Sequence, residues 1–191
     1  MKICVFGASG HELKQPYFDA AAELGRALGL GGHTLVFGAG DSGLMGACAR
    51  AAHAAGAEII GVAPRFFDEP GVLFQNCSRL ILTETMHERK ALMEELGEAF
   101  IVMPGGIGTL EEFFEVLTLR QLGRHDKPIA LLNTCGCYDA LRTLLEQAAR
   151  ERFMGESCLS LYAVCPDAAA ALRAVTAPQA HAARSLLDYG K

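Results

Sequence analysis

The segment from Pro104 to Glu112, Pro-Gly-Gly-Ile-Gly-Thr-Leu-Glu-Glu, has the composition of an anion-binding turn. Its three glycines leave backbone N–H groups uncovered, and the apolar spacing that follows predicts a helix from residue 109. A helix N-terminus offers free N–H groups and partial positive charge, which together suit a phosphate. The segment lacks the lysine that follows the last glycine of a P-loop, so it predicts a monophosphate ligand rather than a nucleoside triphosphatase.

A purely structural interpretation of the same residues stays open. Thr109 and Glu112 have the Thr-x-x-Glu spacing of a capping box, in which the threonine caps the helix and the glutamate bonds back to it. In that case the glycines would do no more than make a tight turn.

A second cluster, from Thr85 to Lys90, places two cations early in a predicted helix. Thr85 and Glu88 also have capping-box spacing, so Arg89 and Lys90 fall at the start of that helix. The helix dipole disfavours cations there, which indicates an anionic ligand nearby. The alternative is that both are solvated charges on an exposed face.

The turn from Gly38 to Gly46 contains Gly-x-Gly-x-x-Gly at Gly38, Gly40 and Gly43, between a predicted strand and a predicted helix. A dinucleotide-binding fingerprint requires that setting. Two features argue against NAD: the turn follows the second strand, and Ala63-Pro64 stands where an acid should bind the ribose. We therefore expect these glycines to allow a tight turn beside a ligand.

These turns need a scaffold, and the chain alternates short apolar runs with longer helical patterns. Strands that are apolar throughout, each followed by a helix, predict a parallel sheet covered on both faces. The expected fold class is α/β, a Rossmann-like doubly wound and mostly parallel sheet that binds ligands beyond the carboxyl ends of its strands.

Residues 1–176 are expected to form a single domain, followed by a polar C-terminal tail at 177–191. The predicted strands are 2–7, 34–37, 58–62, 79–83, 99–103, 128–132 and 161–164, and the predicted helices are 16–28, 44–55, 85–97, 109–122, 138–152 and one from 167.

Composition limits the possible partners and the location. The chain has 191 residues, 51% of them hydrophobic, which is enough to bury a full core. A net charge of −5 and the lack of a Lys/Arg-rich stripe argue against a nucleic-acid polymer as partner. No apolar run reaches the roughly 20 residues that span a bilayer, and none resembles a signal peptide, so we expect no membrane association and a cytoplasmic protein. The seven cysteines lack metal-site spacing, so we expect reduced thiols and no metal.

In chain order the three motifs, Gly-x-Gly-x-x-Gly-Leu-Met-Gly, Met-x-x-Arg-Lys and Pro-Gly-Gly-x-Gly-Thr-x-x-Glu, resemble those of the Lonely Guy (LOG) family. That family consists of cytokinin riboside 5′-monophosphate phosphoribohydrolases, long mislabelled as lysine decarboxylases, and the resemblance covers about residues 2–165. It implies a homodimeric enzyme that cleaves the N-glycosidic bond of N6-substituted adenosine 5′-monophosphates, giving ribose 5-phosphate and free cytokinin or adenine. We expect no cofactor. One departure is Ala39, where the family usually has a third consecutive glycine.

The resemblance also implies roles for individual residues. Arg89 and Glu112 match the family's catalytic arginine and glutamate. The implied substrate-binding residues are Lys90, the phosphate-binding turn of Gly105, Gly106, Ile107, Gly108 and Thr109, the later Thr118, and Gly40 and Gly43 of the glycine turn.

Such a cleavage develops positive charge on the ribose, which the Glu112 carboxylate could stabilise while it activates water. Arg89 would supply a fixed cation for phosphate or ribose oxygens. The alternative is a non-catalytic module that binds nucleoside monophosphates with the same turn. The presence of both Arg89 and Glu112 argues against it, since binding an anion needs no carboxylate beside it. Lysine decarboxylase activity is disfavoured because the chain shows no arrangement for pyridoxal phosphate.

Overall fold

A parallel sheet of seven strands carries the helices in a computed structural model that describes residues 1–177. The strand order is β4-β3-β2-β1-β5-β6-β7, and every neighbouring pair is parallel. The predicted α/β fold class is confirmed. The strands are β1 (Lys2–Phe6), β2 (Thr34–Phe37), β3 (Ile59–Pro64), β4 (Arg79–Thr83), β5 (Ala99–Val102), β6 (Ile129–Leu132) and β7 (Ala163–Cys165). The helices are α1 (Gln15–Leu30), α2 (Gly43–Ala54), α3 (Met86–Leu96), α4 (Ile107–Gln121), α5 (Asp139–Arg150) and α6 (Ala168–Thr176).

The sheet is covered on both faces because its central strands are apolar on both sides. Along β1, Ile3 and Val5 face one layer of helices, and Cys4 and Phe6 face the other. The first layer consists of α1, α2 and α6, and the second contains α3, α4 and α5. This is the doubly wound arrangement that the alternating pattern predicts.

Strand order reverses at the centre of the sheet, and this reversal locates the ligand site. From β1 the chain moves outward through β2, β3 and β4, and then crosses back to place β5 on the other side of β1. The loops after β1 and β5 therefore diverge and leave a crevice at the carboxyl ends of the two strands. The glycine-rich segments of the sequence lie at this end of the sheet.

Most predicted boundaries differ from the observed ones by one or two residues, and two of these differences have a clear structural cause. Helix α4 begins at Ile107, two residues before Thr109, because Gly106 already has the extended backbone of an N-cap. Strand β7 runs over Ala163–Cys165 rather than 161–164, since Leu161 still belongs to the turn that follows a short 3-10 helix. The predicted tail lies outside the described residues except for residue 177. Among residues 1–177 no helix is both long and apolar enough to cross a bilayer.

Candidate active site

An open cavity of about 590 Å³ lies at the carboxyl ends of the central strands. Its walls come from the loop after β1, the start of α2, the loop after β3 and the first turns of α3 and α4. Parts of the chain that are far apart in sequence therefore meet at the reversal of strand order. The lining residues are Gly7, Ala8, Ser9, Gly10, Met45, Phe67, Met86, Arg89, Gly106, Ile107, Gly108, Thr109, Glu111 and Glu112.

The N-terminus of α4 forms one wall of this cavity. Gly106 is the N-cap, and no side chain within residues 1–177 caps the helix. The first N–H groups of α4, at Ile107, Gly108 and Thr109, therefore have no side-chain partner and border the cavity. Gly105 lies against Thr109, whose hydroxyl fills the space that a side chain at position 105 would need. This geometry suits an anion such as a phosphate.

The capping-box interpretation of Thr109 and Glu112 is wrong. Thr109 is the third residue of α4, not its cap, and its side chain is buried. The Glu112 carboxylate bonds to Arg89 instead of returning to the start of its own helix. The sequence pattern misleads here because the glycines let α4 begin earlier than its apolar spacing indicates.

The Arg89 side chain extends from α3 toward the carboxyl ends of the strands, and the residue is only 7% exposed. Its Nε donates to the carbonyl oxygen of Val62 on β3 (3.3 Å), and its Nη1 donates to Glu112 Oε1 (3.1 Å). A side chain at Gly38 would collide with the guanidinium, since an added Cβ would lie 1.9 Å from Nη2. The first glycine of the glycine turn therefore makes room for Arg89. A solvated, exposed position for this arginine is excluded.

Glu112 lies on α4 opposite Arg89 and is 9% exposed. Burial raises the pKa of its carboxyl above the usual value, and the Arg89 guanidinium opposes that rise. The Arg89–Glu112 ion pair joins α3 to α4 and lies on the floor of the cavity. A buried carboxylate held by an arginine beside an uncapped helix N-terminus can stabilise a developing cation, or accept a proton from water, next to a bound phosphate.

Lys90 does not line the cavity. Its ammonium forms ion pairs with Glu111 and with Glu115 (2.8 Å to Oε2), both on α4. It therefore ties α3 to α4 behind the cavity wall. Thr85 is confirmed as the N-cap of α3, since its hydroxyl accepts from the Glu88 N–H. The returning bond differs from that of a capping box, because the Glu88 carboxylate accepts from the N–H of residue 84 rather than from that of Thr85.

Gly105 is also absent from the cavity lining, because it lies against Thr109, and three other implied substrate-binding residues lie outside the cavity as well. Thr118 is exposed on α4, six residues and roughly 9 Å beyond Glu112 along the helix axis. Gly43 begins α2, where the next N–H, that of Leu44, donates to the carbonyl oxygen of Ala8 (2.9 Å). Gly40 pairs with Leu73 in a short antiparallel bridge. Gly40 and Gly43 thus hold the cavity loops in place, and direct contact of all three with a substrate stays a prediction.

The chain is similar to known proteins of one family over most of its length. A family model described as "possible lysine decarboxylase" matches residues 45–175. A rice protein (Oryza sativa subsp. japonica) named a probable cytokinin riboside 5′-monophosphate phosphoribohydrolase is 40% identical over 167 residues, covering 87% of this chain and 79% of the relative. An Arabidopsis thaliana protein named a cytokinin riboside 5′-monophosphate phosphoribohydrolase is also 40% identical over 167 residues, covering 87% and 78%. The chain belongs to the LOG family. The family resemblance carried by the three motifs is confirmed.

Solved structures extend the LOG fold beyond close relatives. The molybdenum cofactor binding protein from Rippkaea orientalis superposes with a TM-score of 0.69 at 18% identity, covering 90% of this chain and 93% of that one. The molybdenum cofactor carrier protein from Chlamydomonas reinhardtii gives 0.69 at 23% identity, covering 91% and 94%. Identities this low show the shared fold alone.

The residue that departs from the LOG motif, Ala39, has a left-handed backbone with φ of 60°. Glycine adopts this conformation freely, whereas an L-residue loses roughly 1–2 kcal/mol there. The Ala39 methyl is fully buried and packs against Ala63 and Leu73, and this contact offsets part of the backbone cost. The neighbouring backbone is also fixed, because the Phe74 N–H donates to the Ala39 carbonyl oxygen (2.8 Å).

Sequence reasoning missed the apolar part of this LOG site. Met45, Phe67 and Met86 come from three separate elements and line the cavity together. Phe67 is 40% exposed and lies beside Phe66, with ring centroids 4.7 Å apart and ring planes tilted by 58°. In the sequence, the adjacent residues Phe66 and Phe67 after a predicted strand are a signal that could have indicated this apolar part of the site. The loop Gly7–Gly10 was also detectable, since the first β–α turn of a doubly wound sheet borders its ligand crevice.

Proposed function

We propose that this chain is a LOG-type hydrolase that cleaves the N-glycosidic bond of adenosine 5′-monophosphates, including N6-substituted ones, to the free base and ribose 5-phosphate. The observation that carries the proposal is the buried Arg89–Glu112 pair beside the uncapped N-terminus of α4. Relatives that are about 40% identical over most of the chain are named for this reaction. Chromatography of nucleoside monophosphates incubated with the purified protein tests it directly, because the base and ribose 5-phosphate separate from the substrate.

In this mechanism the 5′-phosphate binds the N–H groups at Gly106–Thr109. Glu112 lies one and a half turns further along α4, so the ribose attached to that phosphate can reach its carboxylate. As the bond from C1′ to the base nitrogen breaks, positive charge develops on the ribose ring and Glu112 stabilises it. Water adds to C1′ and loses a proton, with Glu112 oriented to accept it. The base leaves with the bonding electron pair and takes up a proton.

Arg89 fixes the position and charge of Glu112 before substrate binds. Its ion pair holds the carboxylate at 3.1 Å and favours the ionised form in a buried setting. The guanidinium can also reach phosphate or ribose oxygens, since it borders the cavity. The Arg89–Glu112 pair also favours an enzyme over a module that only binds nucleoside monophosphates. A negative carboxylate next to an anion site weakens binding of the anion, so its presence there favours a part in the reaction over binding alone.

The phosphate is expected to determine which nucleotides react. We predict that AMP is hydrolysed with a kcat/KM at least roughly 10²-fold above that of adenosine, because contacts at the α4 N-terminus support the chemical step as well as binding. The two compounds share base and ribose and differ only in the phosphate, so each serves as control for the other. Product formation followed by chromatography over a range of concentrations gives both constants. Equal values for AMP and adenosine would remove the phosphate from the proposed binding mode.

We also propose that the protein is a homodimer in the cytoplasm, which free thiols at all seven cysteines fit. Exposed apolar side chains on α3 and α4 support an interface near the cavity: Met86 is 40%, Ile107 89% and Phe114 37% exposed. Light scattering is expected to give twice the chain mass of 20.4 kDa. Phe114→Glu should shift the mass toward the monomer, whereas Leu144→Glu on α5, also an exposed apolar residue, should not. A mass of one chain for the unmodified protein at micromolar concentration would contradict the dimer.

A further inference from the structure

Two consecutive cations on α3 bind three carboxylates on α4. The Arg89 Nη1 lies 3.1 Å from Glu112 Oε1, while the Lys90 ammonium pairs with Glu111 and, at 2.8 Å, with Glu115 Oε2. Both helices pack through apolar side chains on the same face of the sheet, which sets their positions. The pairing between neighbouring charges is left to the charged side chains themselves.

Glu111 is a natural competitor of Glu112 for the Arg89 guanidinium. The two glutamates are adjacent in sequence, and both line the cavity together with Arg89. The Glu112 side chain is 11% exposed and that of Glu111 is 53% exposed. Because an exposed carboxylate loses less hydration when it pairs, a free Glu111 would be the easier partner for Arg89. Another group must therefore engage Glu111 if Arg89 is to pair with Glu112.

Lys90 is placed to engage it. Its side chain is 15% exposed and bridges Glu111 and Glu115, which lie one turn apart on the same side of α4. Burial disfavours the charged ammonium, but the bonds to the two carboxylates outweigh burial and raise the pKa of Lys90. Lys90 is therefore charged at neutral pH and holds the Glu111 carboxylate, while Arg89 pairs with Glu112.

We propose that Lys90 is a positioning residue for the hydrolysis: by engaging Glu111, it makes Arg89 pair with Glu112 and so keeps the reactive carboxylate on the floor of the cavity. This role rests on the proposed function, in which Glu112 takes part in the reaction. It differs from the substrate-binding role that the family resemblance implies for Lys90, because Lys90 does not line the cavity and acts through Glu111.

The test is the steady-state kinetics of AMP hydrolysis by Lys90→Met, Glu111→Gln and the double variant. In Lys90→Met the Glu111 carboxylate is free to compete for Arg89, so we expect kcat to fall roughly 10-fold while KM changes less than about threefold. Lys90→Arg should keep most of the kcat, because arginine also pairs with carboxylates. In Lys90→Met/Glu111→Gln the competing charge is gone as well, and kcat should return to within about twofold of that of Glu111→Gln.

Two matched controls accompany these variants. Lys90→Met/Glu115→Gln removes the other partner of Lys90, which does not line the cavity, and should stay as slow as Lys90→Met. Lys2→Met removes the same charge at the first residue of β1, at the opposite end of that strand from the cavity, and should leave kcat unchanged. Melting temperatures show which variants are folded, and Lys90→Gln repeats the test if Lys90→Met is not.

Each alternative gives a different result. A KM for AMP that rises roughly 10-fold in Lys90→Met, and is not restored by Glu111→Gln, would show that Lys90 binds the substrate and would overturn the proposal. An unchanged kcat in Lys90→Met, a low kcat in the Lys90→Met/Glu111→Gln variant, or equal restoration by Glu115→Gln would also overturn it. If the unmodified protein does not hydrolyse AMP, the proposed function itself is refuted, and the positioning role with it.

Discussion

Glu112→Gln is expected to lower turnover by roughly 10²–10⁴-fold, as for the loss of a general acid–base group. The substitution keeps the shape of the side chain and a hydrogen bond to Arg89, but it removes the negative charge that the developing ribose cation requires. Binding of AMP should survive, because the N-terminus of α4 and Arg89 are intact. Steady-state turnover and AMP affinity, measured on the same preparations, test both parts.

The matched control for this variant is Glu111→Gln. Glu111 also borders the cavity, but its carboxylate pairs with Lys90 rather than Arg89, so the change should affect turnover far less. Melting temperatures separate catalysis from stability. If Glu112 were only half of a structural ion pair, Glu112→Gln would lower the melting temperature while the folded enzyme kept near-normal turnover, and the catalytic role would be lost.

The acid side of the pH profile gives an independent signature of the same residue. Because burial raises the pKa of Glu112, the ionised form is lost at a higher pH than for an exposed carboxylate. The kcat/KM of the unmodified enzyme should therefore fall as the pH drops through this raised pKa. The same limb should be absent from the residual activity of Glu112→Gln.

Gly38→Ala is expected to reduce kcat/KM by roughly 10²–10³-fold, nearly as much as Arg89→Ala, although a methyl group is all that is added. The new Cβ would lie 1.9 Å from Arg89 Nη2, so the guanidinium must move away and release Glu112. The Arg89 side chain moves more readily than the backbone at the end of β2. We therefore expect a loss of activity with little loss of stability. Activity and melting temperature of both single variants measure this.

The double variant Gly38→Ala/Arg89→Ala decides whether the two residues act as one unit. If Gly38 serves only to make room for Arg89, the double variant should be no less active than Arg89→Ala, and the two effects should not add. If the fold-reduction in kcat/KM of the double variant equals the product of the two single fold-reductions, position 38 has a separate function, such as a backbone contact with the substrate.

The strands and the glycine-rich turns of this fold could be predicted from the sequence, because short local patterns of residues specify them. Apolar runs such as Ala99 to Val102 and the glycines after them are enough to give a parallel sheet with turns at its carboxyl end. The Arg89 and Glu112 assignments came from motif resemblance, and the structure brings the two side chains together at 3.1 Å. The dipole argument predicts an anionic ligand beside Arg89; the structure shows the Glu112 carboxylate there, and binding of an anionic ligand stays a prediction.

The remainder depends on packing between elements, which no local pattern encodes. Lys90 follows Arg89 directly in sequence, and both are cations in the first turns of α3. Because successive helix residues point about 100° apart, the Lys90 ammonium pairs with Glu111 and Glu115 instead of Glu112. Phe67 enters the cavity because the loop after β3 folds back over the sheet end. The start of α4 was misplaced because two glycines can begin a helix without an apolar side chain to mark it.

The central position of β1 has a consequence for how the chain folds. Ile3 pairs with Leu35 on one side and with Ala99 on the other, so the middle of the sheet closes only when residues 3 and 99 meet. Contacts of such high contact order slow folding. During synthesis β1 leaves the ribosome before β5, and the side of β1 that pairs with β5 has no partner strand until β5 emerges. The central strand of the sheet therefore has an unpaired apolar edge, which favours aggregation, while the residues between β1 and β5 are synthesised.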